Sequence, residues 1–296
     1  MDIITNYQNY MKARRMAGST IKTYTSEFKA YIEYFKGEDY RYISRDRIIE
    51  YLARLYDLGY SASKVNQAIN AIKFYKEKVL GQKRKTYFIK RPYHERFVPT
   101  ILSQEKMFAV INSPRNVKHA MLLYTMYING LRKSEVRNLK LQDVRSKHEE
   151  PHLIIRHAKH HSNRLLYVDD DFICRLRQYY LQYRPVAYYF EGDTPGVAIS
   201  ETTIARILEK ALVLQGVTER FRVHDLRHNF ATHCLLNGTS IYDLSKFLGH
   251  KSVETTEKYY AHLLPSEIKI NRPVESHAPA RQTKIIQLSP MHKFAG

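Results

Sequence analysis

The chain contains three short stretches in its last third, His224-Asp225-Leu226-Arg227-His228, Leu248-Gly249-His250 and Thr255-Thr256-Glu257-Lys258-Tyr259-Tyr260. In a helix, His224 and Arg227 would lie three residues apart and share a face. Gly249 is typical of a helix end, which predicts a turn at His250. Tyr259 follows nine residues later, in a stretch that favours a helix. We therefore expect basic side chains and a phenol to meet among helices.

A second arginine comes from an earlier stretch, Gly130-Leu131-Arg132-Lys133-Ser134-Glu135. Two arginines, two histidines and a tyrosine match the needs of phosphoryl transfer. The arginines neutralise charge on the non-bridging oxygens, and the tyrosine attacks phosphorus. Each guanidinium can bind two phosphate oxygens with a fixed fork, which a lysine cannot imitate.

This set of residues resembles the tyrosine recombinase (phage integrase) family. The family motif Gly-Leu-Arg-x-Ser-Glu is matched at residues 130–135, and the motif His-x-Leu-Arg-His is matched at residues 224–228. Leu-Gly-His and Thr-Thr-x-x-Tyr follow in the family's order, and the spacing of nine from His250 to Tyr259 is the family's usual one. The motifs cover residues 100 to 263, and the resemblance extends more loosely to the N-terminal part.

The resemblance implies a role for each matched residue. Arg132 and Arg227 would bind the scissile phosphate. His224 and His250 would hydrogen-bond it, and one of the two would accept the proton of the nucleophile. Tyr259 would be that nucleophile.

The family's catalytic lysine lies on a hairpin with the pattern Gly-Lys-Gly-x-Lys-x-Arg. Here Lys159 and, five residues later, Arg164 are kept, but both glycines are missing. The resemblance implies that Lys159 protonates the departing 5′ oxygen, since a hairpin lysine can move in when the substrate binds. The alternative is an exposed turn lysine without a catalytic role.

The nucleophile has a rival in Tyr260. Adjacent helical residues point about 100° apart, so only one of the two tyrosines can face phosphorus. The distance from His250 selects Tyr259, whereas the family's common Tyr-x-His ending matches Tyr260-Ala261-His262. His228 follows Arg227 directly, so we expect it to point elsewhere and to be structural, and we expect Glu135 to orient Arg132.

The charge of the chain favours nucleic acid as a partner. Its 296 residues contain 48 Lys+Arg against 29 Asp+Glu, a formal net charge of +19. Residues 1–95 contain 19 basic against 10 acidic side chains and the remainder 29 against 19, so both parts are basic. A polyanionic partner, above all DNA, fits this distribution.

Other function classes find little support. The chain has no apolar run of membrane-span length and no Gly-x-x-x-x-Gly-Lys-Ser/Thr loop, so neither a membrane partner nor ATP use is indicated. Two cysteines, Cys174 and Cys234, make no disulfide framework and fit a cytoplasmic setting. The histidines at 157, 160 and 161 lack a cysteine or carboxylate frame for a metal, so we expect neither metal nor cofactor.

The hydrophobic pattern predicts a mainly α fold with a small β-hairpin and two domains. Residues 1–80 have apolar side chains at helical spacing, which predicts a bundle that resembles the family's core-DNA-binding domain. Residues 81–99 are predicted to be a basic linker, residues 100–264 the catalytic domain, and residues 265–296 a tail that either frays or docks on a neighbouring protomer. Alternating residues at 152–155 and 164–168 predict the two hairpin strands.

The resemblance implies a site-specific DNA recombinase or integrase that cuts and rejoins DNA through a 3′-phosphotyrosine intermediate. A tetramer would hold two duplexes, each with a specific core site. The chain begins directly with the core-binding pattern, which favours a compact type, Xer-like or mobile-element, over the lambda type. Two alternatives remain, a catalytically silent DNA-binding regulator and a type IB topoisomerase.

Overall fold

The computed structural model describes residues 2–83, 89, 91, 99–146, 150–156, 163–249 and 252–260, and of residues 255, 256, 258 and 259 it describes the backbone. Over these ranges the chain is mainly helical with one small antiparallel sheet, which confirms the predicted fold class.

The N-terminal part is a helical bundle. Ser44 and Ser61 start its third and fourth helices, because their hydroxyl groups accept hydrogen bonds from the backbone N–H groups of Arg47 and Lys64. The elements are α1 (Ile3–Ala13), α2 (Gly18–Tyr34), α3 (Arg45–Asp57), α4 (Ala62–Phe74) and a single π-helical turn (Tyr75–Val79).

Aromatic side chains dominate the core of this bundle. The ring of Tyr7 stacks on Phe28 with 4.3 Å between centroids, and the ring of Tyr75 lies 4.4 Å from that of Phe28. The Tyr7 hydroxyl donates to the Ala71 carbonyl at 3.0 Å, so this buried phenol keeps a hydrogen bond. Burial of these rings holds α1, α2 and α4 together.

The described residues after this bundle form eight α-helices, one 3₁₀ turn and three strands. They are α5 (Gln104–Asn112), α6 (Val117–Ile128), α7 (Lys133–Arg137), a 3₁₀ turn (Leu141–Asp143), β1 (Val144–Arg145), β2 (His152–Ile155), β3 (Arg164–Tyr167), α8 (Asp170–Tyr183), α9 (Glu201–Leu214), α10 (Val223–Leu236), α11 (Ile241–Leu248) and α12 (Val253–Tyr260).

The sheet has the order β1-β2-β3, and both pairs are antiparallel. Ile155 pairs with Arg164 and His152 with Tyr167, so β2 and β3 form the predicted hairpin. Strand β1 was not predicted, because two residues are too short to show a period. It pairs with β2 through Val144 and Leu153.

A second core surrounds α6 and the start of α10. Leu122, Leu123 and Met126 of α6 are fully buried, and Leu226 of α10 packs into the same cluster. The polar side chain of Asn229 in α10 binds the chain where this part begins. Asn229 accepts from the Leu102 N–H and donates to the Thr100 carbonyl, each at 2.8 Å.

The described buried apolar residues form two main cores, one from Tyr7 to Ile89 and one from Met107 to Leu226, and a small third cluster contains Leu244, Leu248 and Tyr260. Within the predicted linker, Ile89 is buried in the first core and Arg91 donates to Asn70 of α4 at 3.1 Å. The two-domain division at residues 81–99 stays a prediction. The predicted tail, 265–296, lies outside the described residues. No described helix is both long and apolar enough to cross a bilayer.

Gly130 allows the close approach of α6 to α10 and α11. It has a positive φ of 55°, and a Cβ atom at this position would lie 2.5 Å from Phe230 Cδ1 and 2.9 Å from Leu248 Cδ2. A side chain at residue 130 would therefore meet both a strained backbone and two neighbours, at the point where the chain turns into Leu131 and Arg132.

We predict that Gly130→Ala destabilises the protein more than Gly216→Ala, which has a similar φ of 63° and nothing within 4 Å of the added Cβ. Both variants force alanine into the left-handed region, at about 1–2 kcal/mol. Only Gly130→Ala adds overpacking, about 1–3 kcal/mol further. Urea unfolding of both variants measures the difference. Equal losses would mean that Phe230 and Leu248 move aside without cost.

Candidate active site

The N-terminus of α10 presents the residues of the His-x-Leu-Arg-His motif. Asp225 starts the helix, because its carboxylate accepts from the backbone N–H of Arg222 at 2.7 Å. His224 and His228 are four residues apart and lie on one face, with 4.8 Å between ring centroids. Arg227 points into the protein and is 3% exposed.

Arg132 precedes α7 and is held by Glu135 in the helix's first turn. The Glu135 carboxylate accepts from the Arg132 backbone N–H at 2.9 Å and from Arg132 Nη1 at 2.8 Å. The side chain of Arg132 remains 33% exposed, so it can still be reached from solvent. The predicted role of Glu135, to orient Arg132, agrees with these two bonds.

Glu135 lies among three arginines, Arg132, Arg164 and Arg227. We call these three side chains the arginine cluster. Arg164 donates to both carboxylate oxygens, at 2.8 Å from Nη1 and 3.1 Å from Nη2, and Arg227 Nη1 lies 3.9 Å from Glu135 Oε2. Burial would raise the pKa of Glu135. The hydrogen bonds and charges of Arg164 and Arg132 outweigh burial and lower that pKa to about 2, so Glu135 is ionised at neutral pH.

Arg227 is fixed by two backbone carbonyls. Its Nη1 donates to Gly130 O and its Nη2 to Leu248 O, each at 2.7 Å. Burial and the nearby charge of Arg132 both lower the pKa of Arg227, although a guanidinium stays protonated in proteins. Three guanidinium groups surround a single carboxylate, so the cluster has a net positive charge. Such a site favours an anion.

His224 lies next to this positive charge. Desolvation, His228, Arg227 and Arg132 lower the pKa of His224 to about 4. Loss of solvation is the largest of these effects, and the positive charges of Arg227 and Arg132 add to it. The imidazole is therefore neutral at pH 7, with one nitrogen able to donate a hydrogen bond and the other able to accept one.

His228 does not point away from the site, contrary to the expectation from its position after Arg227. Its Nδ1 lies 2.6 Å from the hydroxyl oxygen of Tyr260, at the end of α12. Tyr260 is 3% exposed and packs with Leu244 and Leu248 of α11. The helix that contains both candidate nucleophiles is thus attached to α10 through Tyr260.

Three of the six predicted catalytic residues are described with their side chains, and the structure brings them together: Arg132, His224 and Arg227. Lys159 and His250 lie outside the described residues, and so does the side chain of Tyr259. The backbone agrees with the sequence here, since Gly249 ends α11 with a φ of 65° and Tyr259 lies in α12.

Arg164 is the site residue that sequence reasoning did not identify. The signal in the sequence is its position five residues after Lys159, which supports that lysine but does not indicate a contact with Glu135. Its partner Glu135 is 29 residues away in the sequence, and only the folded chain brings the two together.

Profiles of known families match most of the chain. The profile described as "Phage integrase family" matches residues 102–267, and that of "Phage integrase, N-terminal SAM-like domain" matches residues 3–86. The first covers more than half of the chain. The chain belongs to the phage integrase family.

Individual members agree with this assignment. Tyrosine recombinase XerA of Pyrococcus horikoshii is 28% identical over 261 residues, which cover 87% of this chain and 88% of that protein. XerH site-specific recombinase bound to palindromic difH substrate, in a post-cleavage complex, has a TM-score of 0.68 at 20% identity and covers 86% of this chain and 79% of that chain. A lambda integrase tetramer bound to a Holliday junction has a TM-score of 0.71 at 14% identity, over 86% and 75% of the two chains.

These comparisons confirm that the chain is a tyrosine recombinase and therefore an enzyme of that class. The similarity to XerA over most of both chains supports the predicted Xer-like type. The two structures, at their low identities, show a shared fold.

The integrase-family site opens onto a groove of about 770 Å³, whose lining includes Arg132 and His224. Among the residues whose placement is described, no three His, Cys, Asp or Glu side chains are grouped as metal ligands. This part of the site offers positive charge and hydrogen bonds from nitrogen donors.

We predict that His224 of the DNA-free enzyme titrates near pH 4, well below the ordinary range of histidine. Side-chain NMR of the imidazole nitrogens over a pH series measures this midpoint. Arg132→Gln should raise the midpoint, because it removes a positive charge that disfavours the imidazolium. An ordinary midpoint in the unsubstituted enzyme, or no change in the variant, would contradict the electrostatic description of the site.

Proposed function

We propose that this chain is a site-specific DNA recombinase that cuts and rejoins strands through a 3′-phosphotyrosine intermediate. The arginine cluster is the observation that supports this proposal most directly. Three guanidinium groups surround one ionised carboxylate, and one of them, Arg132, faces an open groove beside a neutral histidine. An excess of fixed positive charge at this point suits the developing charge of a phosphoryl-transfer transition state.

In the proposed mechanism, Arg132 and Arg227 bind the non-bridging oxygens of the scissile phosphate. His224 donates a hydrogen bond to the phosphate or accepts a proton, since its neutral form can do either. We assign the same kind of role to His250. The Tyr259 oxygen attacks phosphorus, which leaves the 3′ end of the cut strand on the enzyme and frees a 5′ hydroxyl.

Lys159 is proposed to give the 5′ oxygen its proton as the phosphorus–oxygen bond breaks. A 5′ hydroxyl from the partner duplex then attacks the phosphotyrosine, and the tyrosine oxygen takes the proton back. One phosphodiester is exchanged for another, so the bond energy is conserved and no nucleotide has to be spent. Because arginines supply the charge stabilisation, we propose neither a metal nor a cofactor.

The proposed partner is double-stranded DNA with a specific core site. The chain's net charge of +19 supports this, as do the DNA complexes named for XerH and lambda integrase. Residues 1–80 would grip the duplex, residues 81–99 would link the domains, and residues 100–264 would perform the chemistry. By analogy with the lambda integrase assembly, four protomers would hold two duplexes, and residues 265–296 would dock on a neighbour. The cytoplasm is the proposed location.

Two other functions of this fold would give different experimental results. A catalytically silent DNA-binding regulator would bind DNA without forming a covalent adduct. A type IB topoisomerase would form the adduct but relax supercoils without a paired site. The intact set of Arg132, His224 and Arg227 favours catalysis over silent binding, and the similarity to XerA favours recombination.

We predict that Tyr259→Phe abolishes the covalent adduct on a nicked suicide duplex and leaves DNA binding nearly unchanged. Tyr260→Phe should still form the adduct, because its hydroxyl bonds to His228 in a buried contact. Denaturing gels detect the adduct, and both reactions are run in excess chelator. The reverse result would make Tyr260 the nucleophile and His228 its base, since a phenol 2.6 Å from an imidazole is also the geometry of an activated nucleophile.

We predict that Lys159→Ala slows cleavage of ordinary DNA by roughly two to four orders of magnitude, the usual scale for a lost proton transfer. A substrate with a 5′-bridging sulfur has a leaving group that needs little protonation, so it should restore most of the rate. Arg132→Ala is the matched control and should not be restored. Arg227 is unsuitable for this purpose, since its removal also breaks the bonds to Gly130 and Leu248. If sulfur fails to restore Lys159→Ala, the general acid is another group.

A further inference from the structure

Glu135 places a negative charge inside a site that is proposed to bind a phosphate. Its side chain is 3% exposed, and its carboxylate lies 2.8 Å from the Nη1 atom of Arg132. A buried carboxylate at this position would repel the phosphodiester, since charges in a partly desolvated site interact over several ångströms. Arg132 would also be drawn toward Glu135 and away from the substrate. The site therefore needs a further positive charge that offsets Glu135 specifically.

Arg164 is placed to supply that charge. It binds Glu135 with both terminal nitrogens, which is the strongest arrangement for an arginine and a carboxylate. Its side chain is 12% exposed, so solvent screens the pair weakly. The stem of Arg164 is also enclosed, because a Cβ atom at Gly249 would lie 3.1 Å from Arg164 Cδ.

We propose that Arg164 is a positioning residue, the counter-ion of Glu135, which leaves the charge of Arg132 and Arg227 available to the scissile phosphate. This inference rests on the proposed function. Arg164 acts through Glu135 and does not itself contact the substrate. Because Arg164 is the first residue of β3, the hairpin supplies this charge, while the helices supply the two phosphate-binding arginines.

The same hairpin offers a matched control in Arg156, which directly follows β2. Arg156 also forms an ion pair with a buried carboxylate, since its Nε and Nη2 atoms lie 2.7 Å and 2.6 Å from Asp143 Oδ1. Asp143 belongs to the 3₁₀ turn before β1 and is not part of the arginine cluster. Loss of Arg156 therefore removes an arginine–carboxylate pair of the hairpin without changing the charge around Arg132.

The test measures the rate of covalent adduct formation on two nicked duplexes. One has an ordinary scissile phosphodiester. The other has a methylphosphonate there, which lacks the negative non-bridging oxygen. Arg164→Met should slow the ordinary reaction by about 10- to 100-fold, because Glu135 then repels the substrate. Relative to the unsubstituted enzyme, its defect on the uncharged methylphosphonate should be much smaller. Arg156→Met should match the unsubstituted enzyme on both duplexes.

Two further variants separate charge from structure. Arg164→Lys keeps the charge without the two-pronged bond, and Arg164→Met/Glu135→Gln removes both charges. Each should react with ordinary DNA clearly faster than Arg164→Met. If the bond between Arg164 and Glu135 mattered only for folding, both variants would be as slow as Arg164→Met, because both lose that bond. Thermal unfolding of every variant shows which proteins are folded. If Arg164→Met is unfolded, Arg164→Lys and the double variant must still react at close to the rate of the unsubstituted enzyme.

Equal slowing of Arg164→Met on the two duplexes would overturn this inference, as would a double variant no faster than the single one. Normal rates for every Arg164 variant would overturn it as well. Those results would leave the proposed function intact, because the unsubstituted enzyme would still form its adduct. An unsubstituted enzyme that forms no adduct with ordinary DNA would overturn the proposed function and this inference with it.

Discussion

The buried carboxylate of Glu135 is the constraint on which the catalytic part of this chain depends. A buried carboxylate is costly unless charged and hydrogen-bonded partners surround it, and here the partners come from three separate segments. Arg132 comes from the start of α7, Arg164 from β3 and Arg227 from α10. These segments have to meet for Glu135 to be stable, so the same contacts that satisfy Glu135 also assemble the proposed phosphate site. Stability and chemistry share one set of side chains at this point.

Helix α10 extends that organisation to the rest of the catalytic core. Near its middle, Asn229 binds the backbone of residues 100 and 102, and further along, His233 lies 2.7 Å from the Tyr127 hydroxyl of α6. His228 binds Tyr260 of α12 from the same helix. One helix therefore fixes the entry of the chain into the core, the central helix α6 and the segment with the candidate nucleophiles.

The sequence predicted the elements that have a period or a motif, and it missed those that depend on a distant partner. Helical spacing and the glycine at residue 249 were sufficient for α10, α11 and α12, and alternation was sufficient for β2 and β3. Strand β1 has two residues and no detectable period, so only its pairing with β2 defines it. The role of Arg164 and the partner of His228 were missed for a related reason. Periodicity indicates the face on which a residue lies, but the partners Glu135 and Tyr260 are brought near by tertiary packing.

The two bonds of Arg227 have a consequence for how this protein can vary. Both acceptors are main-chain carbonyls, of Gly130 and Leu248, so replacing a neighbouring side chain cannot delete them. What can displace them is a change in the path of the backbone, set by the packing of apolar residues such as Phe230 against the turn at Gly130. The position of Arg227 thus depends on the path of the backbone around it and not on the identity of the neighbouring side chains. Impaired variants of this enzyme should therefore include substitutions of uncharged residues that touch neither DNA nor any reacting atom.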